Sequence, residues 1–204
     1  AYHGLTPEQI NILIMPYKSK VFAHHFITNR SMEETKVFED IIQRRLLGTI
    51  SQGELQDVLN RPTDEGGVGY DRRTADKIVR RINRVLRIAF FVYQKSRQRV
   101  DETGHHIKIT IEEKTEHVLE YLLKTCYLEH AEHLNDTQLS RLRQAIKDRL
   151  SGDIQKADFY KALDMPVKEG GMGLNSKTAK FMSEELELIL ILGFGVVPMV
   201  RSGA

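Results

Sequence analysis

Residues 48–75 read GTISQGELQDVLNRPTDEGGVGYDRRTA, and residues 152–179 read GDIQKADFYKALDMPVKEGGMGLNSKTA. At an offset of 104 the two align without a gap. Gly48 meets Gly152, Ile50 meets Ile154, Leu59 meets Leu163 and Pro62 meets Pro166. The run Glu65-Gly66-Gly67-x-Gly69 meets Glu169-Gly170-Gly171-x-Gly173. The offset also holds outside this stretch, where Thr6 falls on Thr110, Tyr17 on Tyr121, Arg45-Leu46 on Arg149-Leu150 and Phe90 on Phe194. Roughly a fifth of the first 100 positions are identical at this offset, against about 6% expected from average composition. The sequence thus reads as an internal duplication of a unit of about 100 residues. The first copy is expected over 1–103 and the second over 104–204, joined at the polar link Glu102-Thr103-Gly104.

Each copy reads as helical. Thr6-Pro7-Glu8-Gln9 sets a cap, a proline at the first helical position and a glutamine at the third, and Thr110-Ile111-Glu112-Glu113 repeats the start. Val37, Phe38, Ile41, Ile42 and Leu46 recur at helical spacing up to Gly48. Ser51 caps a short helix that runs to Asn60 and is closed by Pro62. Asp71 and Asn175 cap the last helices. The first of these extends to about Arg99, with Ile78, Ile82, Val85, Ala89 and Val92 on its inner face. Only His106–Ile111 alternates at all like a strand, and weakly. The expected fold class is all-α, with about four helices per copy.

Composition sets broad bounds. The 204 residues are 41% apolar and 28% charged, with a net charge of +2, which suits globular domains with a core and names no partner. The single cysteine excludes an internal disulfide framework and a cysteine-only zinc site, and points to the cytoplasm. No apolar run approaches the roughly 18 residues of a spanning helix, and the first residues carry no secretory pattern.

The segment Gly48-Thr49-Ile50-Ser51-x-x-Glu54-Leu55 resembles the second half of an EF-hand loop, in which a glycine turns the chain, an isoleucine follows and a glutamate closes the site. The ligand positions that the resemblance implies are Gln43, Arg45 and Leu47 in one copy and Lys147, Arg149 and Ser151 in the other. A hard dication needs six to eight oxygens, so a calcium-free turn is expected. The glycine loops invite a second comparison, with phosphate cradles. No strand precedes them, no GK[ST] ending follows, and Glu65 and Glu169 would repel a phosphate. Pro62, Gly66, Gly67, Gly69, Pro166, Gly170, Gly171 and Gly173 are read as structural.

Three features remain as candidates for function. From Arg72 to Arg99 there are ten Lys or Arg residues and one acid, Asp76. Arg73, Lys77, Arg80, Arg84 and Arg87 fall on one helical face, and Arg81 flanks it. The equivalent helix of the second copy carries Lys177, Lys180, Glu184, Glu185 and Glu187, so the fold does not demand the charge. Cys126, His130 and His133 stand at i, i+4 and i+7 on a helix expected from Ile111 to His133, a spacing that would suit zinc. The aligned Phe22, Phe26 and Asn29 make this more a packing face than a metal site. Finally, the run Leu186–Val200 is apolar on most sides, either as a buried last helix or as a surface that docks on a partner or a membrane.

No nucleophile elbow, catalytic triad or nucleotide fingerprint is present in the sequence, and no cofactor is expected. The leading expectation is a non-enzymatic interaction protein: an adaptor, scaffold or assembly subunit. It would bind an acidic protein surface, or another copy of itself, through the basic helix. The alternative is nucleic-acid binding through the same residues.

Overall fold

The computed structural model describes residues 4–27, 30–94, 96–100, 102–127 and 134–193, and of residues 7, 8, 96–100 and 127 only the backbone. These residues form a mostly α-helical protein with eight α-helices and one two-stranded hairpin. They divide into two compact units, one running to Arg87 and the other from Ile88 to Gly193.

In the first unit α1 (Pro7–Phe26) packs on α2 (Met32–Leu46), and α2 packs on α3 (Gln52–Asn60). The sequence sets all three starts. Thr6, Ser31 and Ser51 each accept from the amide three residues on, while Gln9, Glu34 and Glu54 reach back to the capping residue. Each such box satisfies two amides that a helix start leaves unpaired. A 3-10 turn, Thr63–Glu65, and the glycine loop lead into α4 (Arg72–Tyr93). Three side-chain bonds tie α4 to its neighbours. Gln56 donates to Asp76, Arg45 Nη2 donates to Asn83 Oδ1 at 3.2 Å, and Arg81 Nη2 donates to His25 Nε2 at 3.0 Å. The core of this unit holds Phe22, Phe38, Ile42, Leu55, Leu59, Val68, Ala75 and Ile82, none with exposed surface.

In the second unit the hairpin pairs β1 (Ser96–Val100) with β2 (His106–Lys108) in antiparallel register. α5 (Ile111–Leu122) continues into a π-helical turn, Leu123–Tyr127. α5 packs on α6 (Asp136–Ser151), α6 on α7 (Lys156–Asp164), and α7 on α8 (Ser176–Gly193), which also meets α5. The core positions fall 104 residues after those of the first unit. Leu142, Ile146, Phe159, Leu163, Met172 and Ala179 are buried, as are Phe38, Ile42, Leu55, Leu59, Val68 and Ala75. Helix starts follow the same spacing: Pro7 and Ile111, Met32 and Asp136, Gln52 and Lys156, Arg72 and Ser176.

Several sequence expectations need correction. The basic helix stops at Tyr93 rather than near Arg99, and residues 96–100 form β1. After Tyr93 the chain reads QKSRQRV, with no apolar residue before Val100, so a longer helix would have no face to bury. Pairing with His106–Lys108 satisfies the backbone instead, and the expected link Glu102-Thr103-Gly104 becomes the turn, with Gly104 at φ 80°. On α4 the inner row begins at Ala75 and Val79, while Ile78 is only half-buried. The helix expected from Ile111 to His133 changes phase at Leu123, where π-helical bonding places fewer turns per residue.

The turns at Gly48 and Gly152 are helix stops. Both glycines have positive φ, and the next residue's amide reaches back five residues: Thr49 to Arg44 O at 2.9 Å, Asp153 to Asp148 O at 2.8 Å. This is the bonding of a Schellman motif. Ile50 is buried beyond it, and Ile154 is half-buried.

Candidate functional site

α4 is built to show one face. Asp71 caps it, accepting from the Thr74 amide at 3.0 Å, and Thr74 holds the Asp71 carboxyl below the usual carboxylate range. Ala75, Val79, Ile82, Val85 and Ala89 then follow the helical repeat and are buried. On the opposite side Arg73, Lys77, Arg80, Arg84 and Arg87 are all exposed. Their spacing of four and three residues stacks them in one row about 21 Å long. Among the described residues none of the five makes an ion pair or a side-chain hydrogen bond. The one nearby acid of the helix, Asp76, is half-buried and receives Gln56.

Arg81 stands apart from this row. It is half-buried, its guanidinium donates to His25, and its Cζ lies 4.8 Å from the centre of the Phe26 ring. It holds α4 to α1 within the unit, so its charge is committed to structure.

The second unit handles charge differently. Positions 104 residues after the five cations are Lys177, Phe181, Glu184, Leu188 and Ile191, and Leu188 is buried. Several cations there are paired: Lys147 with Glu112 at 2.9 Å, Lys180 with Glu184 at 3.9 Å, and Arg143 with Glu116. Arg149 makes a two-pronged bond to Glu187, at 2.7 and 3.0 Å, and this pair raises the Arg149 pKa. Among the described residues, a row of unpaired cations thus runs along α4 and not along α8.

The glycine loops have no amides to offer a phosphate. In the first, the amides of Glu65, Gly66, Gly67, Val68, Gly69 and Tyr70 donate to Pro62, Thr63, Pro62, Val58, Arg61 and Leu59 carbonyls. In the second, residues 169–174 repeat that pattern onto Pro166, Val167, Pro166, Ala162, Met165 and Leu163. Gly66 and Gly170 take positive φ, at 78° and 95°. A Cβ on Gly67 would lie 2.1 Å from the Arg61 carbonyl oxygen, and one on Gly171 would lie 2.1 Å from that of Met165. The glycines are there because the loop folds back onto the preceding helix end. Pro62 and Pro166 supply the carbonyls that the turn needs.

Of the zinc candidates, Cys126 lies half-buried in the π-helical turn, and His130 and His133 lie outside the described residues. Among the described residues no group of three or more His, Cys, Asp or Glu side chains comes together. The positions implied by the EF-hand resemblance are otherwise engaged, Arg45 with Asn83 and Arg149 with Glu187. Of the apolar run, Leu186, Leu188, Ile189, Leu192 and Gly193 are buried in α8, and residues 194–200 lie outside the described residues. Among the described residues no helix is long and apolar enough to cross a membrane.

One cleft escaped the sequence reading, between the start of α2 and the first glycine loop. The signal for it was available: at the offset of 104 the two stretches differ there, Val37 standing opposite Arg141.

No family model, no curated protein and no solved structure matches the chain.

Proposed function

We propose that this protein is a non-catalytic interaction module, an adaptor or assembly subunit, built from two tandem copies of one helical unit over 1–103 and 104–204. Its first unit binds an acidic protein surface through Arg73, Lys77, Arg80, Arg84 and Arg87. The observation that carries this reading is the row itself: five exposed cations on one face, without acidic partners among the described residues, where the matching helix keeps a single cation, Lys177. Like charges three and four residues apart repel, so the row costs α4 stability that an anionic partner returns. Four of the five are arginines, whose planar forks bind carboxylates in pairs of bonds. The duplication is supported by the shared offset of identities, helix starts, buried positions and loop hydrogen bonds.

Duplex nucleic acid is the second reading, favoured by the unbroken run of cations along about 21 Å. Against it, the chain as a whole carries a net charge of only +2. The deciding experiment is fluorescence anisotropy with a labelled Glu/Asp-rich peptide and a labelled random duplex, at about 50 and 200 mM salt. An acidic-protein module binds the peptide and releases it when Arg80 and Arg87 are changed to Glu. Duplex binding with a log–log salt slope near −4.5, the value for about five phosphate contacts, transfers the function to nucleic acid. No binding to either probe at low salt overturns both readings.

A further inference from the structure

The cleft at the start of α2 measures about 280 Å³, roughly nine waters' worth of space, and is lined by Ser31, Glu33, Glu34, Val37, Thr63 and Gly67. Its counterpart in the second unit is filled. There Arg141 reaches from α6 and donates through Nη1 to two backbone carbonyls, Val167 O at 2.8 Å and Gly171 O at 2.7 Å. Those carbonyls sit in a loop whose backbone hydrogen bonds match, bond for bond, those around Thr63 and Gly67. The first unit therefore holds the same pair of acceptors. Position 37 is valine, and among the described residues no side chain donates to either carbonyl. Thr63 O accepts from the Gly66 amide, as Val167 O accepts from Gly170, and each carbonyl has a second lone pair.

The charge around the cleft changes in the same sense. Where the second unit has Thr137 and Gln138, the first has Glu33 and Glu34. Gln138 donates to Met172 O at 2.7 Å, which a carboxylate cannot do. Both side chains accept from the capping residue's amide, Glu34 from Ser31 at 2.8 Å and Gln138 from Asn135 at 3.1 Å, and Glu34 also accepts from Arg30 at 3.1 Å. Those bonds, the Ser31 ones foremost, hold its carboxyl below the ordinary range, so it stays charged at neutral pH. Glu33 is exposed at the mouth. One copy thus carries a guanidinium in its own cradle, and the other lacks that guanidinium, keeps the cradle and has two carboxylates, of which Glu34 is paired with Arg30 and Glu33 has no ion-pair partner among the described residues.

We propose that this cleft is a guanidinium-binding site that takes an arginine side chain from a protein partner. The fork that Arg141 places on two carbonyls is supplied in trans, and Glu33 completes it with a charge-assisted bond. The site uses no residue of α4 and stands whether or not the cationic row binds an anion.

The test is a titration of the whole, isotope-labelled chain with N-acetyl-arginine amide, followed by amide NMR shifts. The expected result is a saturable shift of the Glu33, Glu34, Gly66 and Gly67 amides, with Kd on the order of 1–10 mM for a single anchored side chain. The neutral isostere N-acetyl-citrulline amide and the lysine analogue should bind at least about tenfold more weakly. Free arginine, whose α-ammonium and α-carboxylate offset one another, should bind no more tightly than the capped form. Val37→Arg should fill the cleft from within and abolish binding. Glu33→Gln, an exposed substitution that leaves the fold intact, should weaken it several-fold. The proposal is overturned by no shift at about 50 mM ligand, by equal binding of citrulline or lysine, or by unchanged binding in both variants. Tighter binding of free arginine than of the capped form overturns the protein-partner assignment.

Discussion

Changing Arg80 and Arg87 together to glutamate should make the first unit more stable while destroying its anion binding. Along the row the neighbouring pairs are 73–77, 77–80, 80–84 and 84–87, all like-charged and exposed. A like-charged pair at this spacing costs about 0.2–0.5 kcal/mol, and an opposite pair gains about the same. The double variant reverses three of the four pairs but also turns the opposite pair Asp76–Arg80 into a like one, so the helix gains roughly 1–2 kcal/mol at low ionic strength and less as salt screens the charges. None of the five cations makes a bond to a described residue that would be lost. The assay is native-state hydrogen exchange at the buried amides of Val79, Ile82 and Val85, which reports on this unit by itself. Binding is read in parallel by anisotropy, where the loss of two cations should cut the duplex salt slope from about −4.5 to −2.7 or flatter. Slower exchange with lost binding is the expected pair of results. Faster exchange would mean that the arginines support the helix, and unchanged affinity would mean that the row is a solvated surface; either result refutes the reasoning.

Other substitutions test the packing. Lys18 is buried in α1, donates to Asn11 Oδ1 at 2.6 Å, and has its pKa lowered by burial to about 8. The unfolded chain then holds more protons between about pH 8 and 10.4, so stability should rise across that window, by up to about 3 kcal/mol. Lys18→Met should flatten that rise in urea titrations run at several pH values; an unchanged profile would show that another group titrates. Gly67→Ala and Gly171→Ala should each cost on the order of 2–4 kcal/mol, because the new Cβ meets backbone rather than a side chain that could move. Thermal melts within about 0.5 kcal/mol of the parent would contradict the close approach. Arg149→Met should cost about 3 kcal/mol by stranding the mostly buried Glu187, and adding Glu187→Met should recover much of it. If the double variant is no better than the single one, the pair does not act as a pair.

The caps, the glycine stops and the inner faces of the helices could be read from the chain alone, because each depends on residues within four or five positions of one another. Ser51 with Glu54, Asp71 ahead of Thr74, and Gly48 after Leu46 and Leu47 declare their roles locally. The row of cations on α4 was equally legible, since helical spacing alone places five residues on one face. Where α4 ends was not, because the competing hairpin draws on His106–Lys108, across a turn. The change of phase at Leu123 was also hidden, since no proline or glycine marks it.

The sequence by itself determined that the chain is helical, that one pattern of residues occurs twice at an offset of 104, and that only the first of the two stretches carries the basic face. Tertiary structure decided which charges are spent. Arg81 turns inward onto His25 and Phe26, while Arg80 and Arg84 remain in solvent, although the three arginines stand within four positions. It also decided that the glycine loops bind themselves rather than a phosphate, since their amides meet carbonyls three to eleven residues back. And it decided that Val37 leaves a cleft where Arg141 fills one, because a cradle of backbone carbonyls takes its shape from the folded loop, and the exchange of arginine for valine gains its meaning only against that cradle.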